Sequence, residues 1–343
     1  MDRESLYKED IKILYSAEQN LTIPVIKSGN FQNIPGEKYF QLDKWIKENT
    51  ISIFSHFTND IPIKFQKIRP QVHFVHAMGD ISLLSRPILG IVGPRKNTPY
   101  ADQVLQKLFE KVQQYNLVTI SGLARGVDAL CHKYSIQNNI PTIAVLGGGL
   151  KRYVESRSRA QIESIISNGG LVLSEFKLDL EPNKYTFPQR NRLIAGLSDV
   201  MFLPEANEKS GSLITANYAL QYQIPICVAP NTLFQDTSKG TNNLLIQGKA
   251  KSVDLSFSFL ETYFSSCHKR EVVSGKTNIS QIQTLSDNEQ KIYQCIVENT
   301  CCDVNIIANY TQLDTSQVLD GILLLELNNL IYENTPNTYK ICC

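Results

Sequence analysis

Ser121-Gly122-Leu123-Ala124-Arg125-Gly126-Val127-Asp128-Ala129-Leu130-Cys131-His132 is the stretch from which the architecture of this chain is best read. The apolar run before it, Leu117–Ile120, has the character of a buried strand, and the segment after it has the composition of a helix. Two glycines therefore flank an arginine where strand gives way to helix. That arrangement brings a backbone close to phosphate oxygens, because the amides of the turn and of the helix N-terminus point at the anion. The chain has neither a Walker lysine motif nor a full G-x-G-x-x-G, so the loop suggests a phosphate backbone more than a nucleotide cofactor. No cofactor, no metal and no catalytic residue is expected.

The same arrangement recurs on either side. Pro87–Gly93 ends in Gly93-Pro94-Arg95 and precedes an amphipathic helix over Thr98–Tyr115. Pro141–Leu146 ends in Gly147-Gly148-Gly149, Gly170–Leu173 in Ser174-Glu175, Val200–Leu203 in Pro204-Glu205, and Ile224–Ala229 in Pro230-Asn231. Six short apolar runs alternating with helical segments predict an α/β fold, a doubly wound and mostly parallel sheet. Ligands of such sheets collect beyond the carboxyl ends of the strands, so Arg95, Ser121, Arg125 and Gly211 are expected around one groove.

Further candidates surround these. Gly93, Gly122 and Gly126 let the backbone approach a ligand. Lys184 and Phe187, followed by Arg190-Asn191-Arg192, offer cations for phosphates and a ring for an unpaired base. Ser210-Gly211-Ser212 opens a helix, with Thr215 one turn in, and a capping turn of small residues is also an anion site. Asp128 and His132, four apart, are read as a structural hydrogen bond, because no third partner completes a triad. Glu175 and Glu205 are read as structural or groove-lining.

These motifs carry a resemblance. Gly93-Pro94-Arg95, the Ser121–His132 loop, Thr142–Gly149, Ser174-Glu175, Phe187–Arg192, Ser210–Ala216 and Gly240-Thr241-Asn242 agree in type, order and spacing with the DprA/Smf family, over roughly residues 50 to 255. The chain departs from that family's pattern at Val154, Pro94 and Asn231. The resemblance implies an extended Rossmann-like domain that binds single-stranded DNA, forms a homodimer, protects incoming DNA and helps load the RecA recombinase in natural transformation. The strand Cys227–Ala229 with the helix Thr215–Tyr222 is the apolar surface expected to serve dimerisation. The fold also resembles the nucleoside-monophosphate phosphoribohydrolases, whose Pro-Gly-Gly-x-Gly-Thr-x-x-Glu loop carries a catalytic glutamate. Here the nearest counterpart is Ser210–Thr215, with Thr215 where the glutamate would fall and the Pro-Gly-Gly missing. A dinucleotide-dependent oxidoreductase fails on its fingerprint.

With 34 basic and 33 acidic residues the net charge is +1, so a nucleic-acid site must be local. The eight cysteines are scattered without C-x-x-C, and reduced thiols are expected. The start is polar and no long apolar stretch occurs, so a cytoplasmic protein without a membrane span is expected. Residues 1–50 read as a small helical region, with a turn at Asn33-Ile34-Pro35-Gly36 and a helix at Asp43–Glu48. Residues 51–260 form the Rossmann-like domain, led by β-like runs Ile51–Phe57 and Val72–His76. Residues 261–284 read as a linker. Residues 285–343 read as a winged helix: a capping box at Ser286–Glu289, helices to Glu298, over Val304–Tyr310 and over Asp314–Leu330, then a two-stranded wing. From Thr284 onward two basic residues face eight acidic ones, which argues for a protein-contact or regulatory role rather than DNA reading.

Overall fold

The structure, a computed structural model, describes residues 36–56, 61–267, 285–299, 302–327, 331–335 and 338–341. It divides into two compact units, Met1–Lys269 and Arg270–Cys343.

Among the described residues the first unit begins with α1 (Gly36–Glu48), β1 (Ile51–Ser55) and β2 (Phe74–Gly79), followed by β3 (Ile88–Ile91), α2 (Pro99–Val112) and β4 (Val118–Ser121). It continues through α3 (Val127–Gln137), β5 (Thr142–Val145), α4 (Leu150–Val154), α5 (Arg159–Ser167), β6 (Leu171–Ser174) and α6 (Thr186–Leu197). It ends with β7 (Val200–Leu203), α7 (Ser212–Gln221), β8 (Ile226–Val228), α8 (Lys239–Ile246), β9 (Lys251–Ser252) and α9 (Phe259–Phe264). All six apolar runs of the sequence are strands.

These strands make one nine-stranded sheet, ordered β1-β2-β6-β5-β4-β3-β7-β8-β9. The seven from β6 to β9 run parallel, and β1 and β2 add an antiparallel edge. Strands β3 to β7 are four residues long and wholly buried, because helices cover both faces of a parallel sheet. Ile88 packs into one core while Leu89 and Ile91 pack into the other, on the opposite face. The chain winds from β3 outward to β6, returns to place β7 on the other side of β3, and winds away to β9. The order reverses between β3 and β7, which opens a crevice at their carboxyl ends.

Three expectations change here. The Cys227–Ala229 segment is not an apolar surface: Cys227, Val228 and Ala229 are buried, and β8 is flanked by β7 and β9. Thr215, Ala216 and Ala219 on α7 are likewise buried, so the apolar face that sequence alone offers for dimerisation packs inside the unit. Residues 261–267, expected as linker, belong to the fold, since Leu260, Phe264 and Cys267 pack with Phe109 and Phe202.

In the second unit, α10 (Asp287–Asn299), β10 (Cys302–Asp303), α11 (Val304–Thr311) and α12 (Thr315–Leu327) precede β11 (Ile331–Thr335) and β12 (Thr338–Ile341). The strands form an antiparallel sheet of order β10-β12-β11, one strand more than the expected wing. The capping box is made reciprocally: Ser286 N donates to Glu289 Oε2 at 2.8 Å and Glu289 N donates to Ser286 Oγ at 3.4 Å. Val318, Ile322 and Leu325 form the buried side of α12. Asn33, Ile34 and Pro35, the expected linker stretches Lys269-Arg270-Glu271 and Ser274-Gly275-Lys276, Leu330, the wing tip at residues 336–337, and Cys301, Cys342 and Cys343 lie outside the described residues. Among the described residues the five cysteines are buried and form no disulfide, and no helix is long and apolar enough to cross a membrane.

Candidate nucleic-acid interface

A groove of about 780 Å³ lies in the crevice where the strand order reverses. Its walls are the loop after β3 (Gly93 to Lys96), the entry to α6 (Asn183, Lys184, Phe187, Arg190, Asn191) and the loop after β7 running into α7 (Asn207 to Thr215). Ala124 and Asp128 contribute from the turn after β4. Five cations line it (Arg95, Lys96, Lys184, Arg190 and Lys209) against one carboxylate, Asp128. A local basic groove thus exists in a chain whose net charge is only +1.

Arg95 is exposed, and its guanidinium lies over the Phe187 ring, 4.9 Å from the centroid. A planar cation held on an aromatic face keeps its edge donors free for an anion. Phe187 is itself seated against Gly147: a side chain there would meet the ring edge at 2.6 Å, so the glycine run after β5 permits this contact. The loop carrying Arg95 and Lys96 is pinned from across the switch. Glu205, wholly buried, accepts from Thr98 N at 2.8 Å and from Thr98 Oγ1 at 2.6 Å, and Thr98 also caps α2. Gly126 lies under the same loop with φ +79°, and a Cβ there would collide with the Pro94 carbonyl.

α7 begins at Ser212, whose amide donates to Ser210 Oγ at 3.3 Å, while the next two amides donate to Ser210 O at 3.1 Å and Gly211 O at 3.2 Å; Gly211 is exposed. Ser210 Oγ and Ser212 Oγ share a hydrogen bond at 2.7 Å, and Asn191 Nδ2 donates to Gly211 O at 3.4 Å, tying α6 to this N-terminus. The positive end of the α7 dipole lines this cationic groove and adds to its attraction for an anion.

The remaining candidates are placed otherwise. Arg190 and Arg192 lie inside α6, and both are buried. Arg190 touches the groove, yet its Nη1 donates to Gly122 O at 2.5 Å and to Val145 O, clamping the ends of β4 and β5. Arg192 leaves the groove altogether and pairs with Glu175, both side chains being largely shielded. Burial raises the Glu175 carboxyl against the pull of Arg192. Ser121 is buried and donates to Ile91 O at 2.7 Å, so it ties β4 to β3. Arg125 is exposed on its turn but does not line the groove, nor do Gly122 and Gly126. Gly93, Arg95, Lys184, Phe187, Arg190, Asn191, Gly211, Ser212 and Thr215 do.

Asp128 and His132 do not bond each other as expected. Burial raises the Asp128 carboxyl, opposed by Arg190, the Ser121 hydroxyl and the Ala124 and Gly122 amides, so Asp128 closes the turn on itself. His132 Nδ1 instead meets Thr142 Oγ1 at 2.8 Å, and burial, reinforced by Arg190, pushes its imidazole down to about 3. Sequence reasoning missed Lys96, Asn183, Asn207 and Lys209 in the lining. Lys96 and Lys209 had a signal: each follows a strand's carboxyl end, as Arg95 does.

The profile of the family described as DNA recombination-mediator protein A matches residues 18–263. The chain belongs to this family. It is 33% identical over 239 residues to DNA processing protein DprA of Bacillus subtilis, covering 68% of this chain and 80% of that one. It is 36% identical over 170 residues to protein Smf of Escherichia coli, covering 50% of this chain and 46% of that one. Among solved structures, DprA of Streptococcus pneumoniae superposes with a TM-score of 0.58 at 29% identity, covering 76% of this chain and 96% of that one. DprA of Helicobacter pylori, described for its unique single-stranded DNA binding mode, gives a TM-score of 0.56 at 33% identity, covering 64% and 97%. The recombination-mediator family is one of DNA-processing proteins, and the nine-stranded sheet is its Rossmann-like fold.

Proposed function

We propose that this protein binds single-stranded DNA without base preference in the groove between the loops after β3 and β7. The observation that carries the reading is the convergence of Arg95, Lys96, Lys184 and Lys209 with the α7 N-terminus around one crevice. Separated cations and the positive end of a helix dipole attract a chain of phosphates, and they carry no base code. The Helicobacter pylori relative, whose description speaks of single-stranded DNA, supports the choice of ligand. Within the family's frame the protein protects incoming DNA, acts as a homodimer and helps load RecA in natural transformation. Catalysis is not part of this reading. The groove's one carboxylate, Asp128, is engaged in its own turn, and Thr215, where a phosphoribohydrolase would need its glutamate, is buried.

The test is a titration of labelled single-stranded and duplex oligonucleotides over a range of salt, with Arg95→Ala in parallel. The single strand binds more tightly, and Arg95→Ala weakens every sequence alike and lowers the salt slope by about one unit. Equal affinity for the two forms, or hydrolysis of nucleoside monophosphates by the same preparation, overturns the reading.

A further inference from the structure

We infer that Tyr185 is a base-stacking platform at the rim of the groove, taking an unpaired nucleobase of the strand whose phosphates the groove cations hold. The inference rests on the single-strand reading above and adds to it the element that distinguishes a single strand from a duplex.

Phe187, the ring that sequence alone nominates for a base, has one face under the Arg95 guanidinium and an edge against Gly147. Tyr185, two residues earlier, is 67% exposed. A ring that accessible, beside a residue lining the basic groove, is free to stack on a base. Its backbone is fixed, and its ring, with the Lys184 ammonium over one face, leaves the rest to solvent. Asn183 Oδ1 accepts from Tyr185 N at 2.9 Å and from Thr186 N at 3.2 Å, and Tyr185 O accepts from Gln189 N at 3.4 Å as α6 begins. The ring therefore projects from a rigid junction, which lowers the ordering cost of a contact.

Its neighbours supply the rest. Lys184 lines the groove, and its ammonium lies 5.0 Å from the Tyr185 ring centroid. Phosphate contact and ring are thus presented by consecutive residues at one edge, the pairing that single-strand sites use. A base within a duplex has both faces stacked and cannot lie on this ring. An unpaired base can, and any of the four bases will serve.

The experiment uses the full chain with a 2-aminopurine-containing single strand, the same strand built with abasic sites, and a duplex. Wild type and Tyr185→Phe quench the 2-aminopurine fluorescence and bind the strand alike. Tyr185→Ala loses the quenching and binds the normal strand about 5- to 100-fold more weakly. On the abasic strand and on the duplex, wild type and Tyr185→Ala are equal. If wild type binds the strand and Tyr185→Ala matches it in affinity and quenching, the platform is wrong and the groove reading stands. If Tyr185→Ala loses as much on the abasic strand, the ring only packs the junction, and the platform is again overturned. If wild type prefers no single strand, both readings fall together.

Discussion

Arg95 and Arg192 are both groove cations by sequence, yet the fold gives them opposite tasks. Arg95 has an aromatic ring beneath it and solvent around it, so its charge is available. Arg192 is buried against Glu175. No spacing rule separates the two, because burial depends on which helix face meets the sheet, and the α6 sequence carries polar residues on its inner side. Arg190 shows the same thing, since its partners are carbonyls 45 and 68 residues away in the chain. Breaking a buried pair leaves an unpaired charge, whereas replacing both members with apolar groups can cost nothing. Glu175→Ala is accordingly expected to lower stability by about 3–5 kcal/mol, while Glu175→Leu with Arg192→Met stays close to the parent. Urea unfolding measures both. A parent-like Glu175→Ala protein with weakened DNA binding returns Arg192 to the groove.

The central strands were legible because burial on both faces makes each a short, largely apolar run with a turn residue beyond its end. β9 was not, since two residues show no period, and α9 was hidden by the polar stretch that follows it. The groove's position was legible too, since it follows from the reversal of strand order. What sequence could not show is how the two walls are joined. Glu205 from the end of β7 holds Thr98 at the start of α2, so the Arg95–Lys96 loop is braced by an element more than 100 residues away. Thr98→Val removes both the cap and the hydroxyl's bond to a buried carboxylate, which together cost about 1–3 kcal/mol. Because the brace orders the loop before DNA arrives, Thr98→Val is also expected to weaken single-strand binding several-fold with the salt slope unchanged, since no cation is lost. An oligonucleotide titration at several salt concentrations checks this. Unaltered affinity in the folded variant would show that the loop needs no brace.

The modest net charge of the whole chain conceals an uneven distribution. From Thr284 onward there are two basic and eight acidic residues, and removing these from the totals of 34 and 33 leaves 32 basic and 25 acidic residues before it, a net of +7. The acidic end coincides with a unit that has its own core, built on Ile292, Ile296, Val318 and Leu325. Its α12 exposes Leu319, Leu323 and Leu324 where a DNA-reading helix would carry cations. A protein shortened to this first unit should stop at Lys269, which keeps Cys267 in the first unit's core. That shortened protein keeps Arg95, Lys96, Lys184 and Lys209 and sheds a net negative charge, so its affinity for single strands is expected to match or modestly exceed that of the full chain. The excess shrinks as salt rises, because a charge effect acting over distance is screened where a contact is not. Fluorescence anisotropy at low and high salt reads the difference. A large loss of single-strand affinity in a shortened protein that still unfolds cooperatively would assign the second unit a direct hold on DNA and reverse the reading of its charge.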